Sequence, residues 1–147
     1  MRKYLLPLAA GAIVAAAASA NAAQTSANFQ ARITIQTACV VSATNLDFGN
    51  VGVINGGETA TSNVSVNCSN GTPYGLSLAG VGSVTAITGT MTNVGNGEDV
   101  AYSAALSLAG GTGSGSAQAY TIDGVLPAQV TPSAAIYTDN QTVYVNY

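Results

Sequence analysis

Histidine and tryptophan are absent from this chain, lysine and arginine together number three, and there are two cysteines. The lack of histidine removes the commonest general base and the commonest metal ligand. A zinc site would have to rest on the two cysteines, and is the weaker reading of that pair. Two of the three cations, Arg2 and Lys3, stand at the N-terminus, so no lysine remains further on to activate a nucleophile. The scarcity of cations also excludes polyanionic partners. A nucleic-acid binder displaces phosphate counterions with several Lys or Arg, and an anionic membrane surface is disfavoured on the same ground. The chain is not read as an enzyme, and neither a cofactor, a bound metal nor a small-molecule substrate is expected.

What is present begins with export. Arg2 and Lys3 precede an uncharged run from Tyr4 through Ala20, and Ala20-Asn21-Ala22 supplies small residues for cleavage. Residues 1–22 therefore read as a secretory signal peptide, cut after Ala22, with Ala23 as the next choice. The run is short for a membrane span. From Ala23 onward one cation, Arg32, stands against six carboxylates (Asp47, Glu58, Glu98, Asp99, Asp123 and Asp139), a net charge of −5. The length suits one domain with a modest core. With 6% charged and 48% hydrophobic residues, such a chain folds but presents a nearly neutral polar surface, suited to packing against copies of itself. Cys39 and Cys68 both lie in the exported part, where an oxidising compartment lets them form a disulfide. Closing a loop of about 30 residues in this way stabilises by about 3–4 kcal/mol on the chain-entropy account.

Period-2 alternation recurs from end to end without a helical i, i+3, i+4, i+7 pattern, which predicts an all-β fold. The inward faces read as Phe29-Ala31-Ile33-Ile35, Val64-Val66-Cys68, Tyr74-Leu76-Leu78, Val100-Tyr102-Ala104-Leu106-Leu108, Tyr120-Ile122 and Val143-Val145-Tyr147. Turns are expected at Asn55-Gly56-Gly57, Asn70-Gly71-Thr72-Pro73, Asn96-Gly97 and the glycine run Gly110–Ser116. Short, numerous strands at this spacing fit an immunoglobulin-like β-sandwich.

The stretch before Cys39 is the most informative. Ala27, Phe29, Ala31, Ile33 and Ile35 form one apolar face, and Asn28, Gln30, Arg32 and Thr34 form the other. Periodicity alone allows two readings: the first strand of the domain itself, or an extended arm that adds to the open sheet edge of another molecule.

Motifs with chemical overtones are weak. Glu98 and Asp99 are adjacent and on a strand would face opposite ways, a poor arrangement for a glycosidase pair. Asn93, Asn96, Glu98 and Asp99 could supply oxygens to Ca²⁺, but read better as a solvated turn. The Gly110–Ser116 run lacks the Lys and helix of a phosphate loop and reads as a loop or flexible tip.

Several segments, in order, resemble the spore coat U domain proteins, a family that includes pilins of archaic chaperone-usher pili. They are the alternating arm leading to Cys39, Leu46-Asp47-Phe48-Gly49, Val66-Asn67-Cys68 through Tyr74-Gly75-Leu76-Ser77-Leu78, Gly124-Val125-Leu126-Pro127-Ala128-Gln129, and Tyr137-Thr138-Asp139 through Tyr147. Tyr102 is followed by Ser103-Ala104-Ala105-Leu106 where the family usually carries Tyr-x-Leu-Tyr-x-Asp, and Ala135 stands where a glycine is usual.

The resemblance implies a sandwich lacking its last strand, completed by a donor strand from a neighbouring subunit. It implies residues 23–37 as the donor arm, with Ala27, Phe29, Ala31, Ile33 and Ile35 inserted, and residues 38–147 as the pilin domain. A C-terminal strand carrying Val143, Val145 and Tyr147 would border the groove, and the Tyr147 carboxylate would anchor a basic residue of the chaperone. The implied partners are copies of the chain, a periplasmic chaperone and an outer-membrane usher. The implied product is a cell-surface pilus serving adhesion or biofilm formation. A secreted lectin-like or adhesin module and a spore or cyst coat protein are the alternatives.

Overall fold

The computed structural model describes residues 23–147; the expected signal peptide lies outside them. Residues 23–33 carry no strand or helix, and their apolar side chains are exposed, Phe29 at 92% and Ile33 at 83%. From Thr34 onward the chain forms one body. Among the described residues it is all β, with β1 Cys39–Ala43, β2 Glu58–Cys68, β3 Pro73–Ser77, β4 Ala86–Thr92, β5 Asp99–Leu106, β6 Gly110–Thr112, β7 Ala117–Leu126 and β8 Tyr144–Asn146. Two antiparallel sheets result, a five-stranded one in the order β1-β2-β7-β5-β4 and a three-stranded one in the order β6-β3-β8. This is an immunoglobulin-like sandwich without its closing strand.

Strand β2, between β1 and β7, alternates strictly because one of its faces lies on the core. Ser62, Val64, Val66 and Cys68 are buried and the residues between them are exposed. Val64, Val66 and Cys68 meet Tyr74 and Leu76 of β3 and Leu78 just beyond it, joined by Leu106 and Tyr120. Each fully buried Val or Leu contributes about 1.5–3 kcal/mol by removal of apolar area from water. Tyr74 and Tyr120 stay satisfied in this core because their hydroxyls bond to each other at 2.6 Å and Tyr74 donates to Gln118 Oε1 at 3.0 Å. Cys39 and Cys68 lie directly opposite in the β1–β2 register and are joined, with their Cα atoms 4.1 Å apart. So close an approach is the spacing of a non-hydrogen-bonded antiparallel pair.

Two sequence expectations are corrected, and one strand appears that the sequence did not mark. Leu108 is 62% exposed, because β5 ends at Leu106 and Ser107 turns the chain, its amide donating to Thr121 O at 2.9 Å. The glycine run is not simply a loop tip: Gly110–Thr112 is β6, paired with β3. A Cβ on Gly110 would run into the Tyr74 carbonyl, so glycine is what lets the strands approach. Strand β4 carries no clear signal in the sequence. Its inward series is Ile87-Gly89-Met91, and the gap at Gly89 is filled by the Tyr102 ring, within 2.5 Å of where a Cβ would stand.

Candidate functional site

Among the described residues β1 pairs with β2 alone and β8 with β3 alone, so each keeps one edge unpaired on the same side of the sandwich. Below these edges the sheets part. A groove of about 510 Å³ opens between the segment that continues β1, from Ala43 to Phe48, and the segment that leads into β8, from Ile136 to Val143. A second lobe of about 430 Å³ continues it along Gly49–Ile54 and Thr131–Ala135. The lobes share Leu46, Asp47, Phe48, Met91, Ile136 and Tyr137. The floor is core: Leu78, Ile87, Tyr102 and Ile122 under the first lobe, Val100 and Leu126 under the second.

One wall is held by packing. Gly124 leaves room on β7 for Leu46 and Phe48, whose side chains would sit 2.7 and 2.9 Å from a Cβ there. Phe48 then meets Tyr102 edge-on, ring centres 6.2 Å apart. Between them Asp47 turns the chain, its Oδ1 accepting the Gly49 amide at 2.8 Å.

The other wall is held by polar contacts. Thr138 and Thr92 exchange backbone hydrogen bonds at 3.0 and 3.3 Å. The Tyr137 hydroxyl shares its proton between Ser133 O (2.8 Å) and Glu98 Oε2 (3.1 Å), and Glu98 Oε2 also accepts from the Ser133 amide and hydroxyl and from Asn96 Nδ2. Tyr102 and Gln141 both donate to Asp139 Oδ2 at 2.8 Å. Upstream, the Gln129 amide pairs with Ala101 as a strand would, donating to its carbonyl at 2.8 Å and accepting its N–H at 2.9 Å. At the far end Ile54 N donates to Thr131 Oγ1 at 2.9 Å, joining the two walls.

The electrostatics point away from proton transfer. The Gln141 amide and the Tyr102 hydroxyl draw the Asp139 pKa down, and the Ser133 hydroxyl and amide do the same for Glu98, against partial burial. Burial, reinforced by Asp139, pushes Tyr102 up to about 12. At neutral pH the carboxylates are charged and the phenol is neutral, so none of these groups is poised to shuttle a proton. Glu98, read in sequence as part of a solvated turn that could also supply oxygens to a cation, holds the wall through Ser133 and Tyr137.

Of the residues singled out in sequence, Cys39 and Cys68 are brought together. Val143 and Val145 are half-buried against the main core cluster, and Tyr147 lies beyond β8, largely exposed. Ala27, Phe29, Ala31, Ile33 and Ile35 belong to no strand. Sequence periodicity missed the groove walls, because neither 44–54 nor 131–143 is regular strand. Their only signal was motif resemblance at Leu46–Gly49 and Tyr137–Asp139.

A model of the Spore Coat Protein U domain matches residues 25–144. The chain belongs to that family. No curated protein matches this coat protein U domain chain closely enough to count as a relative. The family is one of exported structural components of surface pili and coats. The matched span takes in most of the exposed arm together with both walls of the groove.

Proposed function

We propose that this chain is a structural subunit of a surface fibre, and that its groove receives residues 27–35 of another copy as the missing strand. One observation carries the reading: the same chain holds a groove with an apolar floor, between the segments that continue the free edges of β1 and β8, and an arm in no strand whose alternate residues are apolar and exposed. An extended segment in the groove would find backbone partners along the unpaired edges and sites for alternate side chains over the core. Burying Phe29, Ile33 and Ile35 there would contribute about 5–9 kcal/mol before ordering costs. An open edge above an exposed core invites aggregation until covered. A periplasmic chaperone that lends a strand, followed by handover at an outer-membrane usher, answers that need and gives a pilus serving adhesion or biofilm formation. The chain itself is not an enzyme on this reading.

The test is polymer formation by the exported full chain and by Ile33→Asp, compared on unboiled and boiled denaturing gels at matched export. A heat-labile ladder in the wild type that collapses to monomer in the variant is the expected result. A wild-type chain that stays monomeric, stable and soluble without a chaperone would overturn the reading.

A further inference from the structure

From Ala23 onward Arg32 is the single cationic side chain, and all six acidic side chains lie in the body that follows the arm. Arg32 lies on the face of the arm opposite Phe29, Ile33 and Ile35, because successive side chains of an extended segment point to opposite sides. With the apolar set directed into a groove, Arg32 is directed out, toward the rim. The rim is acidic on both walls: Asp47 stands on one and Asp139 on the other.

These two carboxylates differ in availability and in position. Asp139 already accepts from Tyr102 and Gln141 through one oxygen, and it borders only the first lobe. Asp47 is exposed, is engaged through Oδ1 by the Gly49 amide, and borders both lobes, which places it at the middle of the groove. Arg32 is one residue from Ala31, the midpoint of the 27–35 segment. At about 3.3 Å per residue the two middles coincide to within one guanidinium side chain whichever way the arm runs.

We infer that Arg32 of one subunit pairs with Asp47 of the next, and that this pair sets the register of the arm in the groove. The inference rests on the strand-donation reading above. A slip of two residues keeps the same face of an alternating segment inward, so apolar burial alone separates such registers weakly. The slip would carry Arg32 about 7 Å along the rim and away from Asp47. The same charge also orients approach, since the bodies repel one another and only the arm is attracted to the acidic rim.

The experiment is a double-mutant cycle on the full chain with Arg32→Gln, Asp47→Asn and both together, reading the rate of ladder formation at low and at high salt. Asparagine at 47 keeps an oxygen for the Gly49 amide, so the turn survives. Each single variant is expected to assemble about threefold more slowly at low salt, with the difference shrinking at high salt, and the double variant to be no slower than either single one. Additive losses, or coupling of Arg32→Gln with Asp139→Asn instead of Asp47→Asn, would overturn the pairing. So would a wild-type rate in Arg32→Gln. Ile33→Asp in the same assay separates the two levels: if it abolishes the ladder while Arg32→Gln does not slow it, the pairing fails and strand donation stands. If the wild type forms no ladder, strand donation itself fails.

Discussion

The arm from Ala27 to Ile35 and the strand β2 are built on the same alternation, yet their surroundings are opposite. In β2 the inward residues Val64 and Val66 are almost wholly buried, with β1 on one edge and β7 on the other. In the arm Phe29 and Ile33 face solvent, and among the described residues no strand flanks them. A period of two specifies that a segment is suited to a sheet, but not which sheet, nor whose. Cys39 stands at the border between the two conditions, and its bond to Cys68 ties the first residue of β1 to the last of β2. The arm thus begins where covalent restraint ends.

That contrast can be broken from either side. The largest effect is expected in the core. Leu76 is fully buried at the meeting of the two sheets, and Leu76→Ala should lower the unfolding free energy of the monomer by about 2–5 kcal/mol in denaturant titration. Next comes the border: replacing both cysteines by serine should cost about 3–4 kcal/mol, measured in the same way against the oxidised wild type.

A smaller and pH-dependent effect is expected from Tyr74 and Tyr102, both raised to about 12, chiefly by burial. An ordinary phenol ionises near 10, so the unfolded chain loses these protons first. The contribution is therefore complete below pH about 10, declines from there to about 12, and is reduced in Tyr102→Phe. Thermal unfolding followed across that range checks both the direction and the window. The smallest effect is the sharpest contrast: Ile33→Asp should leave the stability of the isolated monomer within about 0.5 kcal/mol of wild type while abolishing polymer. A large loss of monomer stability in that variant would mean that the arm serves its own domain.

Parts of this architecture were legible in the residues because burial there follows a simple period. Val64-Val66-Cys68 and Tyr74-Leu76-Leu78 are inward as expected, since each lies on a strand with one face on the core or, for Leu78, directly continues one. Legibility fails where that rule is interrupted. Strand β4 escaped notice because Gly89 yields its inward place to the Tyr102 ring. Leu108 misled because alternation in sequence outlasts the strand, which ends at Leu106. Strand β6 was hidden because glycines have no faces to alternate, and here they serve close approach to β3.

The candidate site was the least legible part. Its walls depend on contacts distant in sequence, such as Thr92 with Thr138 and Tyr102 with Asp139. Each joins residues whose neighbours along the chain give no hint of the other.

By itself the sequence determined the class of the protein: all β, one disulfide available, no histidine, and an alternating arm ahead of the first cysteine. These follow from composition and local period, which act within a few residues. Only the tertiary structure decided that β1 and β8 keep unpaired edges, that the walls stand apart over a half-covered core, and that Asp47 lies midway along the opening. Those are properties of how strands far apart in the chain choose partners, and pairing is set by the total burial of the assembled sheets, which no single segment encodes.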